Sequence, residues 1–127
     1  MKLLYYESIS AWFPSPARDD AKLELDLNDY LIEHPSSTFL VKVKWDSMIG
    51  ACIAEWDMVL VDKSRKHKVG DIVVAQIDRE FTLKYYMLDD TNTPYLQADN
   101  LNYPDMYAEE ELIVFGVVCA VIRKYNP

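Results

Sequence analysis

The chain has 127 residues, 50% of them hydrophobic and 27% charged, a globular composition sized for one domain rather than two and unlike a disordered one. Thirteen Lys+Arg against 21 Asp+Glu give a net charge of −8, so direct nucleic-acid binding through a concentrated basic face is not expected. No stretch approaches the roughly 20 apolar residues of a membrane span, and Met1-Lys2-Leu3-Leu4-Tyr5-Tyr6-Glu7 has no hydrophobic region of signal-peptide length, so a soluble, cytoplasmic protein without membrane contact is expected.

The segment Ser8-Ile9-Ser10-Ala11-Trp12-Phe13-Pro14-Ser15-Pro16-Ala17 has no clear period. Its prolines fix φ and remove backbone donors, which predicts an extended arm over residues 1–24 ahead of a folded body over 25–127. A short helix follows. Asp26 or Asn28 can cap it, Leu27, Tyr30 and Leu31 share one face, and Pro35 is expected to end it.

From Thr38 onward the pattern is that of strands. These are 38–43, 58–62, 71–77, 80–86, 95–98 and a long apolar run over 112–123. Asp78-Arg79 joins the third and fourth as a tight hairpin. Gly116 inside the last run suggests a bend or bulge. The basic run Lys63-Ser64-Arg65-Lys66-His67-Lys68 reads as a solvated loop. Frequent turns between short Val/Ile/Tyr-rich segments predict a mainly β, barrel-like or sandwich domain. Cys52 and Cys119 are read as reduced, the latter in a buried strand, and with His34 and His67 they form no metal-ligand spacing. No cofactor is expected.

Trp45-Asp46-Ser47-Met48-Ile49-Gly50 lies between two strands. Ser47 is either a turn serine bonded to backbone or a nucleophile. Neither histidine stands in a triad context, so a nucleophilic Ser47 needs another base. Lys84 is the candidate. Alternation puts Glu80, Thr82, Lys84 and Tyr86 on one strand face and Phe81, Leu83 and Tyr85 on the other. On a solvent face Lys84 would stay protonated near ~10.4. Buried, it would yield a neutral amine able to take a hydroxyl proton.

Asp46-Ser47-Met48-Ile49, Asp57-Met58-Val59-Leu60-Val61-Asp62, Gly70-Asp71-Ile72-Val73-Val74-Ala75, Glu80-Phe81-Thr82-Leu83-Lys84 and Phe115-Gly116-Val117-Val118 together resemble the LexA/UmuD family of self-cleaving serine–lysine peptidases. Phe13-Pro14-Ser15-Pro16-Ala17, Asp26-Leu27-Asn28 and Glu33-His34-Pro35-Ser36 resemble its UmuD branch. The resemblance covers about residues 11 to 124. It implies a signal-peptidase-like β fold, with Ser47 as nucleophile, Lys84 as general base and the amides of Asp46 and Ser47 as oxyanion hole. It also implies a self-cleavage site at Ala11–Trp12. Cleavage would be stimulated by a RecA filament on single-stranded DNA in the SOS response. The trimmed homodimer would then join a UmuC-like Y-family polymerase. Eleven residues precede that bond, so the helix-turn-helix of a LexA repressor is not expected.

Glycine is usual in the family where this chain has Trp12, Trp45 and Trp56, and is the expected residue at Cys52 and Arg79. A UGA codon read differently would account for the tryptophans but not for Cys52 or Arg79. Indoles beside the scissile bond and the catalytic loop are expected to strain or block the site. A non-cleaving interaction module that regulates a polymerase or RecA is therefore the alternative. A signal-peptidase-like enzyme acting on other proteins would call for a membrane anchor, and the sequence offers none.

Overall fold

The computed structural model describes residues 2–6 and 21–125. The chain divides into two compact units, Met1–Glu33 and His34–Pro127. The first contains strands β1 (Lys2–Tyr6) and β2 (Ala21–Asp26), paired antiparallel with Leu3 opposite Leu25 and Leu4 opposite Glu24. Sequence reading found only an extended arm here. The alternating Ala-Lys-Leu-Glu-Leu-Asp of β2 is a strand pattern, and pairing gives both segments partners for their backbone groups.

Helix α1 (Leu27–Leu31) is a single turn. The Asp26 carboxylate caps it by accepting the Asn28 amide at 2.9 Å. Leu27 and Tyr30 remain exposed rather than forming a buried stripe. The helix closes at Ile32, whose amide donates to the Asn28 carbonyl. Pro35 therefore does not terminate it. It opens a separate 3-10 turn, Pro35–Ser37, where its fixed φ suits a first position.

The second unit is mainly β, as expected. Strands β3 (Thr38–Lys42), β4 (Met58–Asp62), β5 (Ile72–Ile77), β6 (Glu80–Leu88), β7 (Pro94–Gln97) and β8 (Leu112–Ile122) form one antiparallel sheet. Their order is β3-β4-β8-β5-β6-β7, an open sheet with β3 and β7 at its edges. Two backbone hydrogen bonds between Leu96 and Met106 cover part of the β7 edge. Asp78 and Arg79 make the β5–β6 turn with φ of 46° and 77°, the twin positive angles of a type I′ hairpin. The basic run after β4 lies in an exposed loop.

Burial follows the two-residue period. Ile72 and Val74 of β5 join a core with Val43, Met48, Ile53, Val59 and Val61. Val73, Ala75 and Ile77 face the other way, into a core with Leu96 and Val117. Central strand β5 is thus covered on both sides, which explains its near-continuous apolar sequence, interrupted only by Gln76.

Strand β8 slips by one residue against each neighbour. Its pairing with β4 passes from Ala120 to Val118, skipping Cys119, and with β5 from Gly116 to Val114, skipping Phe115. These are β-bulges. A Cβ at Gly116 would lie 2.6 Å from Val61 Cγ1, so the residue at this crossing has to be glycine.

Two buried carboxylates fasten the unit. Asp57 takes Arg123 in a two-pronged grip, Nε at 2.8 Å and one terminal nitrogen at 2.7 Å. That guanidinium, hydrogen-bonded to Asp57, holds the carboxyl below the usual range. Asp62 lies 2.6 Å from His34 Nδ1 and accepts both the amide and the hydroxyl of Ser64. Those bonds, His34 first, hold its carboxyl far below the usual range. No helix among the described residues is long and apolar enough to cross a membrane.

Candidate active site

Beyond β3 the ladder continues through Val43, whose amide donates to the Asp57 carbonyl at 2.8 Å while its carbonyl accepts the Trp56 amide at 2.7 Å. Between these anchors the chain loops out from Lys44 to Glu55. Met48 and Ile53, each 1% exposed, plug the loop into the core. A 3-10 turn, Ile49–Ala51, separates them, and Cys52 ends it in the left-handed region at φ 64°. Ser47 sits just before the plug and is itself buried.

The segment from Asp99 to Tyr103 straps this loop from outside. The Asp99 amide donates to the Ser47 carbonyl at 2.9 Å, and the Gly50 amide donates to the Asp99 carbonyl at 2.8 Å. Asn100 Nδ2 donates to the Asp46 carbonyl, and the Tyr103 hydroxyl donates to the Asp46 carboxylate at 2.7 Å. Tyr85 fixes Asp99 in turn through its hydroxyl. A Cβ at Gly50 would collide with Asp99, so the close approach of the two segments requires glycine. Among the described residues, no protein acceptor takes the amides of Asp46 and Ser47.

Lys84 lies on β6 opposite Val73, which is fully buried. The lysine is only 6% exposed, so it is not the solvent-face residue that alternation alone allowed. Its Nζ donates to Thr82 Oγ1 and lies 5.9 Å from the centre of the Tyr103 ring. Burial pushes the amine's pKa below the ordinary lysine value, because an apolar surrounding disfavours the ammonium. Ser47 and Lys84 line one cleft of about 280 Å³, walled by Val41, Val43, Trp45 and Leu83. A buried serine hydroxyl and a lysine biased toward its neutral form, facing one cavity, are the parts of a nucleophile and its base.

The structure thus brings Asp46, Ser47 and Lys84 to one place. Ala11 and Trp12 lie outside the described residues. Trp45 is exposed at the cleft wall, its ring 5.4 Å from Lys44 Nζ, and is not in the left-handed region. Trp56 is, at φ 74°, as are Cys52 and Arg79. Backbone geometry therefore asks for glycine at three of those positions but not at Trp45. Sequence reading missed Thr82, Asp99, Asn100 and Tyr103. Thr82 had a signal, since it stands two residues from Lys84 on the same strand face. The other three lie far along the chain from the serine loop they hold, so no local period reports them.

Residues 3–119 match the family described as Peptidase S24-like. The chain is 45% identical over 121 residues to Protein SamA of Salmonella typhimurium, covering 95% of this chain and 84% of that protein. It is 39% identical to Protein ImpA of Escherichia coli over 95% of this chain and 83% of ImpA. It is likewise 39% identical to Protein MucA of Escherichia coli, over 90% of this chain and 79% of MucA. With nearly its whole length inside that pattern, the chain belongs to the peptidase S24-like family and is a UmuD-like member of its LexA/UmuD group.

Proposed function

We propose that the chain is a self-processing serine–lysine peptidase of the SOS response that cuts its own Ala11–Trp12 bond and then serves an error-prone polymerase. The observation that carries this reading is the burial of Lys84 on the cleft it shares with Ser47. Neutral Lys84 takes the Ser47 hydroxyl proton as Oγ attacks the Ala11 carbonyl. The amides of Asp46 and Ser47 hold the resulting oxyanion. Collapse breaks the bond to Trp12, and Lys84 gives its proton to the departing amine. Water then hydrolyses the ester on Ser47, with Lys84 again as base. A RecA filament on single-stranded DNA stimulates the cut, and the trimmed homodimer joins a UmuC-like Y-family polymerase in the cytoplasm. The net charge of −8 accords with contact to DNA through such partners.

A second reading is a non-cleaving interaction module, favoured by Trp45 standing on the cleft wall. Intact mass decides between them. Purified protein is incubated at mildly alkaline pH, with and without a RecA filament, beside Ser47→Ala and Lys84→Ala. Loss of residues 1–11 in the unsubstituted chain alone supports self-cleavage and both roles. An intact mass in every sample transfers the assignment to the interaction module. The same spectra weigh positions 12, 45 and 56 as tryptophan or glycine.

A further inference from the structure

We propose that Tyr103 is a positioning residue that serves both reacting side chains at once, its hydroxyl fixing the serine loop through Asp46 and its ring facing the Lys84 amine. This rests on the reading of Ser47 and Lys84 as nucleophile and base.

Tyr103 reaches each partner with a different part of one side chain. Its hydroxyl donates to Asp46 Oδ1 at 2.7 Å, one residue before the nucleophile. Its ring centre lies 5.9 Å from Lys84 Nζ, within the range of a cation–π contact. It also lines the cleft that Ser47 and Lys84 share. Neighbouring Asn100 holds the Asp46 carbonyl, so the strap grips Asp46 at two points.

The two contacts have different chemical consequences. A charge-assisted bond from a phenol to a carboxylate fixes the orientation of Asp46, and with it the amide that follows. The ring favours the charged form of the amine, the form Lys84 takes once it has accepted the serine proton. Burial pushes the amine the other way. Tyr103 thus limits how weak a base Lys84 becomes and steadies the ammonium formed as the serine attacks.

The phenol itself stays protonated under alkaline conditions. The Asp46 carboxylate to which it is bonded pushes its pKa above the ordinary tyrosine value. The donor to Asp46 therefore persists in the range where the neutral amine of Lys84 is most abundant. The other titratable groups around the cleft are Lys42 and Lys44 from β3 and the chain that follows it, with Asp46 on the serine loop and Glu55 acting on Tyr103. Strand β5 presents uncharged Val74.

The test separates hydroxyl from ring. Lys84 is titrated by NMR in full-length Ser47→Ala protein carrying 13Cε-labelled lysine, and self-cleavage is followed against pH in the chain with Ser47 intact. Tyr103→Phe keeps the ring, so the Lys84 midpoint stays in place while the plateau cleavage rate falls about tenfold. Asp46→Asn, which weakens the same bond from the other side, lowers the plateau in the same direction. Tyr103→Leu removes the ring as well, and the Lys84 midpoint falls by about 0.5 pH unit. Tyr103→Met replaces leucine in this arm if thermal melting shows the leucine variant unfolded.

An unmoved midpoint in the ring-less variant overturns the proposal and leaves Tyr103 a structural strap only. A wild-type plateau rate in Tyr103→Phe overturns it as well. If the unsubstituted chain never cleaves, the serine–lysine reading fails separately, and the NMR titration still decides whether the ring acts on Lys84.

Discussion

Lys84 shows how one residue sets function against stability. Its amine pKa is lowered by burial. Between that lowered value and the ordinary ~10.4, the unfolded chain binds more protons than the folded one, so stability rises with pH across this window. Below the window the penalty is present in full. Lys84→Met is therefore expected to melt higher than the unsubstituted chain at pH 7, with the gap narrowing toward pH 10, while the proposed self-cleavage is lost. Thermal melts over that pH range check it. Strain at single residues is testable in the same way. Trp56 and Arg79 hold φ of 74° and 77° without being glycine. A left-handed backbone costs a residue with a Cβ roughly 1–2 kcal/mol, partly offset when glycine is introduced by its greater unfolded entropy. Trp56→Gly and Arg79→Gly should each raise urea stability by about 0.5–1 kcal/mol. The need for glycine at Trp56, Cys52 and Arg79 was legible from the family pattern. The strain expected at Trp45 does not show in its backbone, whose φ lies outside the left-handed region.

Elements were legible where one period ran unbroken. Strand β4 has the bounds read from sequence, 58–62, and the β5–β6 hairpin turns at Asp78-Arg79 as expected. β1 and β2 were missed because proline signals in the segment between them dominated the reading, although Leu23 and Leu25 already alternate. The proposed catalytic pair was half legible. Alternation placed Lys84 on a face with Thr82 but gave no depth, since burial there depends on a loop arriving from residues 99–103. The attachment of β8 to the serine loop is likewise a long-range matter. Arg123, just past the strand, binds buried Asp57 and also donates to the Cys52 carbonyl at 3.0 Å. Arg123→Ala leaves that carboxylate buried without its cation. The expected loss is about 2–3 kcal/mol in urea unfolding at pH 7. It should shrink when Asp57→Asn is added, because the stranded charge is then gone.

Across the whole molecule, hydrogen-bonded carboxylates, with Asp57 and Asp62 buried, set the response to acid. Asp57 is held down chiefly by Arg123, Asp62 by His34, and Asp78 by the amides of Glu109, Glu111 and Glu110. Each has a folded pKa below its unfolded one. Their contribution is complete above the unfolded value near 3.8 and is lost as pH falls through the folded values. Thermal melting should therefore change little in response to these groups between pH 8 and pH 5 and drop steeply below about pH 4. Asp62→Asn should flatten that drop while lowering stability at pH 7. The paired slips in β8 govern which residues the strand can lose. A strand with an unpaired residue on each flank can lose that residue and keep its pairing, but losing a paired residue reverses everything beyond the cut. Deleting Cys119, the extra residue of one bulge, would leave Ala120, Val121 and Ile122 opposite Leu60, Val59 and Met58, whereas deleting the paired Val121 would turn Ile122 over and carry Arg123 away from Asp57. The chain's tolerance for insertions and deletions is thus uneven: generous in the exposed loop around Lys66, and confined along the eleven residues of β8 to its two bulge positions, Phe115 and Cys119.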